Sequence, residues 1–563
     1  MIAGKTATAY RGVLAIRDAR ALIAASAVSQ LGDWLYNAAL LGYVYSATGS
    51  AGWVGAATVC RLLPYALLGP VGGAIADRYD RRTVLLVGDI LRCLQMLVLA
   101  LVVWFDAPVA LVVALTALAS AAGTAERPAA MALLPRLVGE ARLGPANALL
   151  HTVQDLGIVV GPALGALLLA TTSATAAFAA NACTFAVSAA LISTMRRRRA
   201  PVGVGEFDGT VAQVVHGFRT ARATPFVVPL FLVVAMVEFT YGAQTVQLVV
   251  YSERVLGLGA GGYGALLAAA GVGGLLSAIV NGRLAMSSRV SIIVVTAGAL
   301  VCATQLAYAS VDRLVVAFGV TVVGGAGLVA CEVVAETAVA RIVPADVLGR
   351  VMGVFAALSV AVMIAGAVLA PVLIASTSLH TSLVVLGIAT LLVTVLCLPG
   401  LRGLDALTRH RAEALASRVA VLEQLPITAG VPRLVLEQLA SESQLCPLPP
   451  GVDVIVQGAP AHAFYAVVEG RVLVHRDEEK VAHLGPGEHF GERGLLDNAP
   501  RNATVTTETD STILRLEGSA LIEALQSAAT LLNALDRSNA SRRVASPAEH
   551  TALVDDPTWV EAS

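Results

Sequence analysis

Charge is scarce in this sequence. Only 14% of its 563 residues are Asp, Glu, Lys or Arg, against about 25% in a soluble domain. Lysine is nearly missing: Lys5 and Lys480 are the only two, a composition bias to which no mechanism attaches. The seven cysteines stand singly, six of them inside apolar runs and none at paired spacing. That excludes a disulfide framework and a cysteine metal site, and they read as small buried hydrophobes. No Gly-x-x-x-x-Gly-Lys-Ser/Thr stretch is present, so ATP hydrolysis is not the expected energy source. Ser/His/Asp, Cys/His and metal-spaced clusters are missing too, so neither an enzyme active site nor a metal is expected. The net charge of −1 identifies no partner, because the charge is unevenly placed.

What is abundant is apolar: 57% of residues, with a mean hydropathy of +0.76. The composition is that of a membrane protein in contact with the lipid bilayer. Residues 1–20 carry Lys5, Arg11, Arg17 and Arg20 without a cleavable signal pattern. Twelve apolar segments follow, each long enough to span hydrocarbon: 21–47, 51–75, 83–105, 108–133, 144–170 and 174–195, then 225–250, 260–282, 289–309, 313–336, 347–374 and 378–400. Arginines gather on one side, at 78–82, at Arg136 and Arg142, at 196–199, at Arg283 and Arg289, and at Arg341 and Arg350. The opposite loops hold Asp106, Glu253, Arg254, Asp312 and Arg313 with no positive excess. The arginine side is cytoplasmic by this bias, which puts both termini in the cytoplasm and the protein in the cell membrane. The loop 196–224 divides the helices into bundles 21–195 and 225–400. The expected fold is an all-α membrane protein of two six-helix pseudo-repeats, followed by a small soluble β-roll.

The halves resemble each other. At an offset of 205, Asp33 meets Glu238 and Tyr36 meets Tyr241; at 209–210, Glu126 meets Glu336, Pro135 meets Pro344, Gly157 meets Gly366 and Pro162 meets Pro371. Such duplication is a transporter signature. Between the second and third segments stand Gly73, Asp77, Arg78, Asp80, Arg81 and Arg82. Gly73 would let helices approach closely, Asp77 would accept hydrogen bonds from a helix end or from arginines, and the arginines would hold the loop in the cytoplasm. This pattern resembles the Gly-x-x-x-Asp-Arg-x-Gly-Arg-Arg loop of the major facilitator superfamily, with Asp80 in place of a glycine. The resemblance implies a twelve-helix secondary transporter for a small molecule.

Two acids lie mid-segment, where a charge costs several kcal/mol unless protonated, paired or facing water. Asp33 and Glu238 each have a tyrosine three residues on, Tyr36 and Tyr241, on the same helix face. They are expected to meet across a central cavity and to carry transport, the alternative being structural polar pairs. Arg61 is the candidate partner of Asp33; Asp89 and Arg92 read as an ion pair on one helix face. Gly157, Gly161, Pro162 and Gly165 look like the Gly-x-x-x-Gly-Pro motif of the superfamily's antiporters. That resemblance implies export in exchange for protons. The fourth segment lacks the arginine that drug–proton antiporters usually carry in it, its run Leu115–Thr124 having no charge.

Beyond Arg402 the composition changes. A connecting helix at 401–425 precedes a domain at 426–535, with strands at 452–456, 464–468, 471–475, 480–484, 503–507 and 512–516 between glycine turns. Phe490, Gly491, Glu492, Arg493, Gly494 and Leu495, then Pro500, Arg501, Asn502 and Ala503, resemble the phosphate cassette of cyclic nucleotide-binding domains. The resemblance implies that Glu492 accepts from the ribose 2′-hydroxyl and Arg501 pairs with the cyclic phosphate. Backbone N–H groups of Gly491, Asn502 and Ala503 would line the same pocket, with cyclic AMP or cyclic GMP as regulatory ligand. Arg493 stands where the family has an aliphatic residue. The polar tail 536–563 reads as disordered and too short for DNA-reading helices, so no nucleic-acid partner is expected. The whole reads as a proton-driven exporter controlled by a cyclic nucleotide. The alternatives are a membrane-anchored sensor without transport, and a transporter whose C-terminal domain is a non-binding interaction module.

Overall fold

The computed structural model describes residues 10–527 apart from 139–141, 197–217, 220–221, 223, 225, 260, 286, 288, 344, 429–432, 478 and 497–498. The tail at 536–563 and most of the 196–199 arginine run lie outside the described residues. Hydrocarbon offers a peptide group no water, so apolar runs of this length can close their hydrogen bonds only as helices. The first six are α1 (Arg17–Thr48), α2 (Ala51–Arg78), α3 (Arg81–Trp104), α4 (Val109–Val138), α5 (Leu143–Thr171) and α6 (Ala174–Ser193). The second six are α7 (Val227–Arg254), α8 (Gly262–Ala285), α9 (Val290–Ser310), α10 (Leu314–Ile342), α11 (Ala345–Ser376) and α12 (Leu379–Leu401).

Among the described residues, eleven helices are long and apolar enough to cross a membrane. The one of these twelve left out is α1, at 32 residues the equal of α11 in length, because Gln30, Asp33 and Asn37 interrupt its apolar run. The expected twelve spans therefore require α1 to be counted despite its polar middle. α4 breaks between Gly123 and Glu126, which puts Glu126 at the start of its second piece.

Packing repeats between the halves. α1 and α3 both pack on α6, as α7 and α9 both pack on α12; α2 pairs with α4 as α8 pairs with α10. The glycines of the fifth helix explain how α1 is held. A Cβ at Gly161 would lie 2.6 Å from the Trp34 Cβ, and one at Gly165 would lie 2.6 Å from the Leu35 carbonyl oxygen. Only glycine lets α5 approach the stretch of α1 that carries Asp33. α11 approaches α7 in the same way: a Cβ at Gly366 would lie 2.9 Å from the Ala243 nitrogen. Pro162 cannot donate to Ile158, and the Ile158 carbonyl instead faces Gly271 of α8, where a Cβ would come within 3.0 Å.

The loop at 73–82 is built differently from expectation. Nothing lies within 4 Å of a Cβ placed on Gly73, whereas one on Gly72 would meet the Thr124 carbonyl at 2.6 Å. The close approach of α2 to α4 belongs to Gly72. The helix-end acid is also shifted: Asp80 caps α3, accepting from the Thr83 N–H at 2.8 Å. Asp77 is 70% exposed and lies 3.9 Å from Arg81 one turn on. Arg82 is the buried member and donates to the Ile192 and Ser193 carbonyls, 3.1 and 2.6 Å away, at the end of α6. No hydrogen bond from Gly73, Asp77, Arg78 or Arg81 to another helix is present among the described residues.

The described chain falls into two compact units, one made of the residues up to Leu137 with Asn147–Arg409, the other of Val138–Ala146 with the residues from His410 on. α13 (Leu404–Gln424) begins in the first and ends in the second, followed by α14 (Arg433–Glu442). The C-terminal unit holds two four-stranded antiparallel sheets. One has the order β1 (Gln444–Leu448), β8 (Ser511–Glu517), β3 (Ala463–Glu469), β6 (His489–Phe490). The other has the order β2 (Asp453–Ile455), β7 (Thr504–Thr507), β4 (Val472–Arg476), β5 (Glu479–Leu484). β1 and β6 were not expected. β1 is an edge strand that pairs only with β8 and tolerates Pro447; β6 has two residues, too few to show alternation. The short α15 (Glu492–Leu496) and the closing α16 (Gly518–Ser527) complete the unit.

Replacing Gly72 with valine should overpack the α2–α4 contact and cost ~1–3 kcal/mol, whereas valine at Gly73 should leave the melting temperature nearly unchanged. Thermal unfolding of the two detergent-purified variants distinguishes them, and equal melting temperatures would contradict this packing.

Candidate functional site

A cavity of ≈400 Å³ opens within the first helical half. Asp33 and Tyr36 of α1, Arg61 of α2, Arg92 of α3 and Glu126 of α4 are among its lining residues. Arg92 organises its charged wall. Its guanidinium lies 2.6 Å from Glu126, 2.9 Å from Asp89 and 3.4 Å from Asp33, with its side chain only 4% exposed. The Phe185 ring of α6 lies 4.3 Å beneath it, a cation–π contact. Ser188 donates to Asp89 at 2.6 Å and Ser29 donates to Glu126 at 3.2 Å. One cation thus serves three carboxylates from three helices. Asp33 makes the longest of these contacts and is the most exposed of the three, at 34% of its side chain.

The partner of Asp33 is therefore Arg92, and the expected Arg61 pair is not formed. Arg61 has its Nε buried without a hydrogen-bond partner. Its charge acts on Asp33, Tyr36 and Tyr65 in the first half and on Tyr241 and Tyr263 in the second. Tyr36 does not bond Asp33 either; its hydroxyl donates to Thr116 at 2.9 Å. Asp89 and Arg92 do share a helix face as expected, but as parts of the larger cluster.

Glu238 is not among the residues lining this cavity. Among the described residues, the charges that act on it are those of Glu332 and Glu336 on α10, while Tyr241 feels the charges of Arg61, Glu238 and Glu332. The expected meeting of Asp33 and Glu238 is not found: each belongs to an acidic group in its own half. Glu126 and Glu332 were overlooked as site residues. The depth rule that singled out Asp33 applies equally to them, since both interrupt apolar runs.

In the C-terminal unit the cassette residues do converge. Gly491 has φ +87°, a conformation that favours glycine, and a Cβ there would come 2.8 Å from an Arg501 nitrogen. Glu492 opens α15 and is 4% exposed. Arg501 is 5% exposed and donates through Nη1 to the Gly491 carbonyl (2.6 Å) and through Nη2 to the Ala463 carbonyl (2.5 Å). Its own backbone is fixed by two bonds of 2.8 Å, to Ala459 and from Gly458. Tyr465, stacked on Phe490, lies 5.9 Å from the guanidinium. Burial pushes the Arg501 pKa below its ordinary value, opposed by Tyr465 and Glu492. Both of these bonds go to neutral carbonyls, so the guanidinium keeps N–H donors for an anion. Ala503 is buried; Asn502 is exposed, and its carbonyl accepts from Arg476 at 3.0 Å.

Helix pairings that repeat between two halves, around a charged cavity and with a β-roll attached, give a multi-pass helical fold. Residues 22–358, more than half of the chain, match the Major Facilitator Superfamily, and the chain belongs to that superfamily. Residues 445–528 match the cyclic nucleotide-binding domain. The Multidrug efflux pump Tap of Mycolicibacterium fortuitum is 29% identical over 364 residues, 61% of this chain and 86% of that protein. The Uncharacterized MFS-type transporter YfiS of Bacillus subtilis (strain 168) is 25% identical over 348 residues, 59% of this chain and 81% of that one. A cAMP-dependent protein kinase regulatory subunit of Hypocrea atroviridis is 30% identical over 95 residues, 17% of this chain and 21% of that protein. That last likeness is confined to one domain.

Truncating Arg92 to leucine would leave three carboxylates without their cation. Loss of one partner from a buried ion cluster typically costs ~3–5 kcal/mol, so Arg92→Leu should destabilise the protein far more than Arg61→Leu. Thermal unfolding in detergent checks the order of the two.

Proposed function

We propose that this protein exports a small molecule across the cell membrane in exchange for protons, under control of a cyclic mononucleotide bound by its cytoplasmic C-terminal domain. The efflux relative supports the direction, and the arginine bias supports cytoplasmic termini. One observation carries the mechanism: Asp33 faces the ≈400 Å³ cavity while remaining within 3.4 Å of Arg92. A carboxylate in that position can be held by the guanidinium or take a proton from the cavity. Protonation releases Arg92 to its two other acids and lets α1 shift against α5 and α6. Substrate and proton then alternate at one charged wall, so that each turnover couples the two fluxes. Glu238 and Tyr241 form the corresponding acid group of the second half, and Gly157, Gly161, Pro162 and Gly165 are the surface on which α1 moves. Arg82 replaces Asp77 as the residue that ties the cytoplasmic loop to a neighbouring helix.

Asp33→Asn removes the protonation step with little change in shape. Gradient-driven efflux, screened over a panel of amphipathic compounds in everted vesicles, should fall at least ~100-fold while the melting temperature stays within a few degrees. Wild-type flux in that variant would remove Asp33 from the mechanism.

In the C-terminal domain, Arg501 is the phosphate ligand and Glu492 the ribose ligand. Truncating one partner of a buried charge pair costs ~2–5 kcal/mol, which corresponds to roughly 30-fold or more in affinity. Calorimetry of the purified full chain with cyclic AMP and cyclic GMP should show binding that Arg501→Ala weakens by at least that factor. Failure of both nucleotides to bind the wild type at millimolar concentration would make the domain a non-binding interaction module.

A further inference from the structure

The connecting helix α13 has no glycine or proline along its length and is anchored by different residues at its two ends. At the start, Leu404 is fully buried in the core of the second helical half with Leu401, Val227 and Val290. Gly403 precedes it against the ring of Phe226, where a Cβ would come within 2.6 Å. Asp405 then reaches α9: it accepts from the Ser291 N–H at 2.8 Å and from the Ser291 hydroxyl at 2.5 Å. α9 begins at Val290, and its own N-cap residue, Arg289, supplies no side-chain hydrogen bond. A helix start leaves its first N–H groups without partners and attracts negative charge. The cap that α9 lacks in its own sequence is thus provided by the carboxylate of Asp405.

The other end of α13 belongs to the β-roll. Val419 and Leu422 are buried with Leu436, Phe464, Leu514 and Leu521, and Arg418 donates to the Ser443 carbonyl at 2.8 Å. Between these anchors, the described residues from Arg409 to Ser417 are mostly exposed. A continuous helix of 21 residues, roughly 30 Å long at 1.5 Å per residue, transmits displacement along its axis better than a flexible linker would.

We propose that the Asp405–Ser291 contact is the clasp through which nucleotide binding acts on the transporter. The inference rests on the nucleotide-control reading above and names the residues that perform it. Nucleotide binding changes the packing at the β-roll end of α13, and the helix tightens or releases the cap on α9. α9 packs on α10 and α12, so its cytoplasmic start moves with the second half between access states. A cap that is made in one state and broken in the other gives the nucleotide the differential free energy that any such control requires. Asp405 is a positioning residue in this scheme and touches neither nucleotide nor substrate.

Hydrogen–deuterium exchange of the full chain in lipid nanodiscs, with and without saturating cyclic AMP or cyclic GMP, reads the clasp directly at the first turn of α9. In the wild type, nucleotide should change exchange of the peptide containing Ser291 at least fivefold. In Asp405→Ala that nucleotide dependence should vanish while nucleotide still binds, its calorimetric Kd shifted by no more than the coupling factor seen in the wild type. Ser291→Ala, which keeps the backbone donor and is the milder change, should reduce the dependence by at least half. Nucleotide that binds with wild-type Kd yet leaves α9 exchange unchanged, or an Asp405→Ala protein that still responds, overturns the clasp alone. Absence of nucleotide binding to the wild type overturns the nucleotide reading and the clasp together.

Discussion

In hydrocarbon a peptide group has no water to bond to, and the rest of this molecule follows from that constraint. It makes each long apolar run a helix and makes every side-chain charge inside the runs conspicuous. It also means that the helices gain little by hiding apolar surface from lipid, so close packing and polar contacts must hold them together. The glycine face of α5 against α1 supplies the first of these, and the Arg92 cluster supplies the second. Both converge on the same turns of α1. The stretch that makes α1 too polar to pass as an ordinary span is the stretch the other helices are shaped to hold.

α4 carries an arginine of its own, Arg127, which lines the cavity, but the cluster is built on a different one. The cation comes from α3, and α4 contributes an acid, Glu126, at the point where its helix breaks. Among the described residues of the second half, the charges that act on Glu238 are those of Glu332 and Glu336, with no matching cation. The repeat is therefore close in backbone packing and unequal in charge. Such asymmetry suits a machine whose two halves share a scaffold but not a task.

The C-terminal unit is held differently. Its core is assembled by burying residues of short strands, and a deeply buried cation such as Arg501 must be satisfied locally. Arg501 is satisfied by two carbonyls, which hold the guanidinium in place without neutralising it. α13 spans both regimes. Its first turn is buried among membrane helices and its last turns among β-roll side chains.

Much of this was legible in the sequence. Segment length and hydropathy located the helices, the glycine-bounded short strands located the β-roll, and the cassette residues around Glu492 and Arg501 came together as the resemblance to cyclic nucleotide-binding domains implied. These signals are local: helix formation, turn formation and strand alternation depend on neighbours within a few residues. The sequence also showed that Asp33 is exceptional, because an acid at that depth needs a reason. It did not show which partner answers it. Arg92 and Arg61 both lie in apolar runs, and only the rotation and approach of α3 and α2 decide which guanidinium reaches α1. The same holds for Gly72 over Gly73, where one residue along a helix turns the side chain by about 100°, and for Asp80 over Asp77, where the end of one helix and the start of the next decide which acid caps. The clasp of Asp405 on α9 bridges residues 114 apart in the chain, and no local pattern announces it. Tertiary structure decided each of these, because pairings between distant segments are set by how whole helices pack.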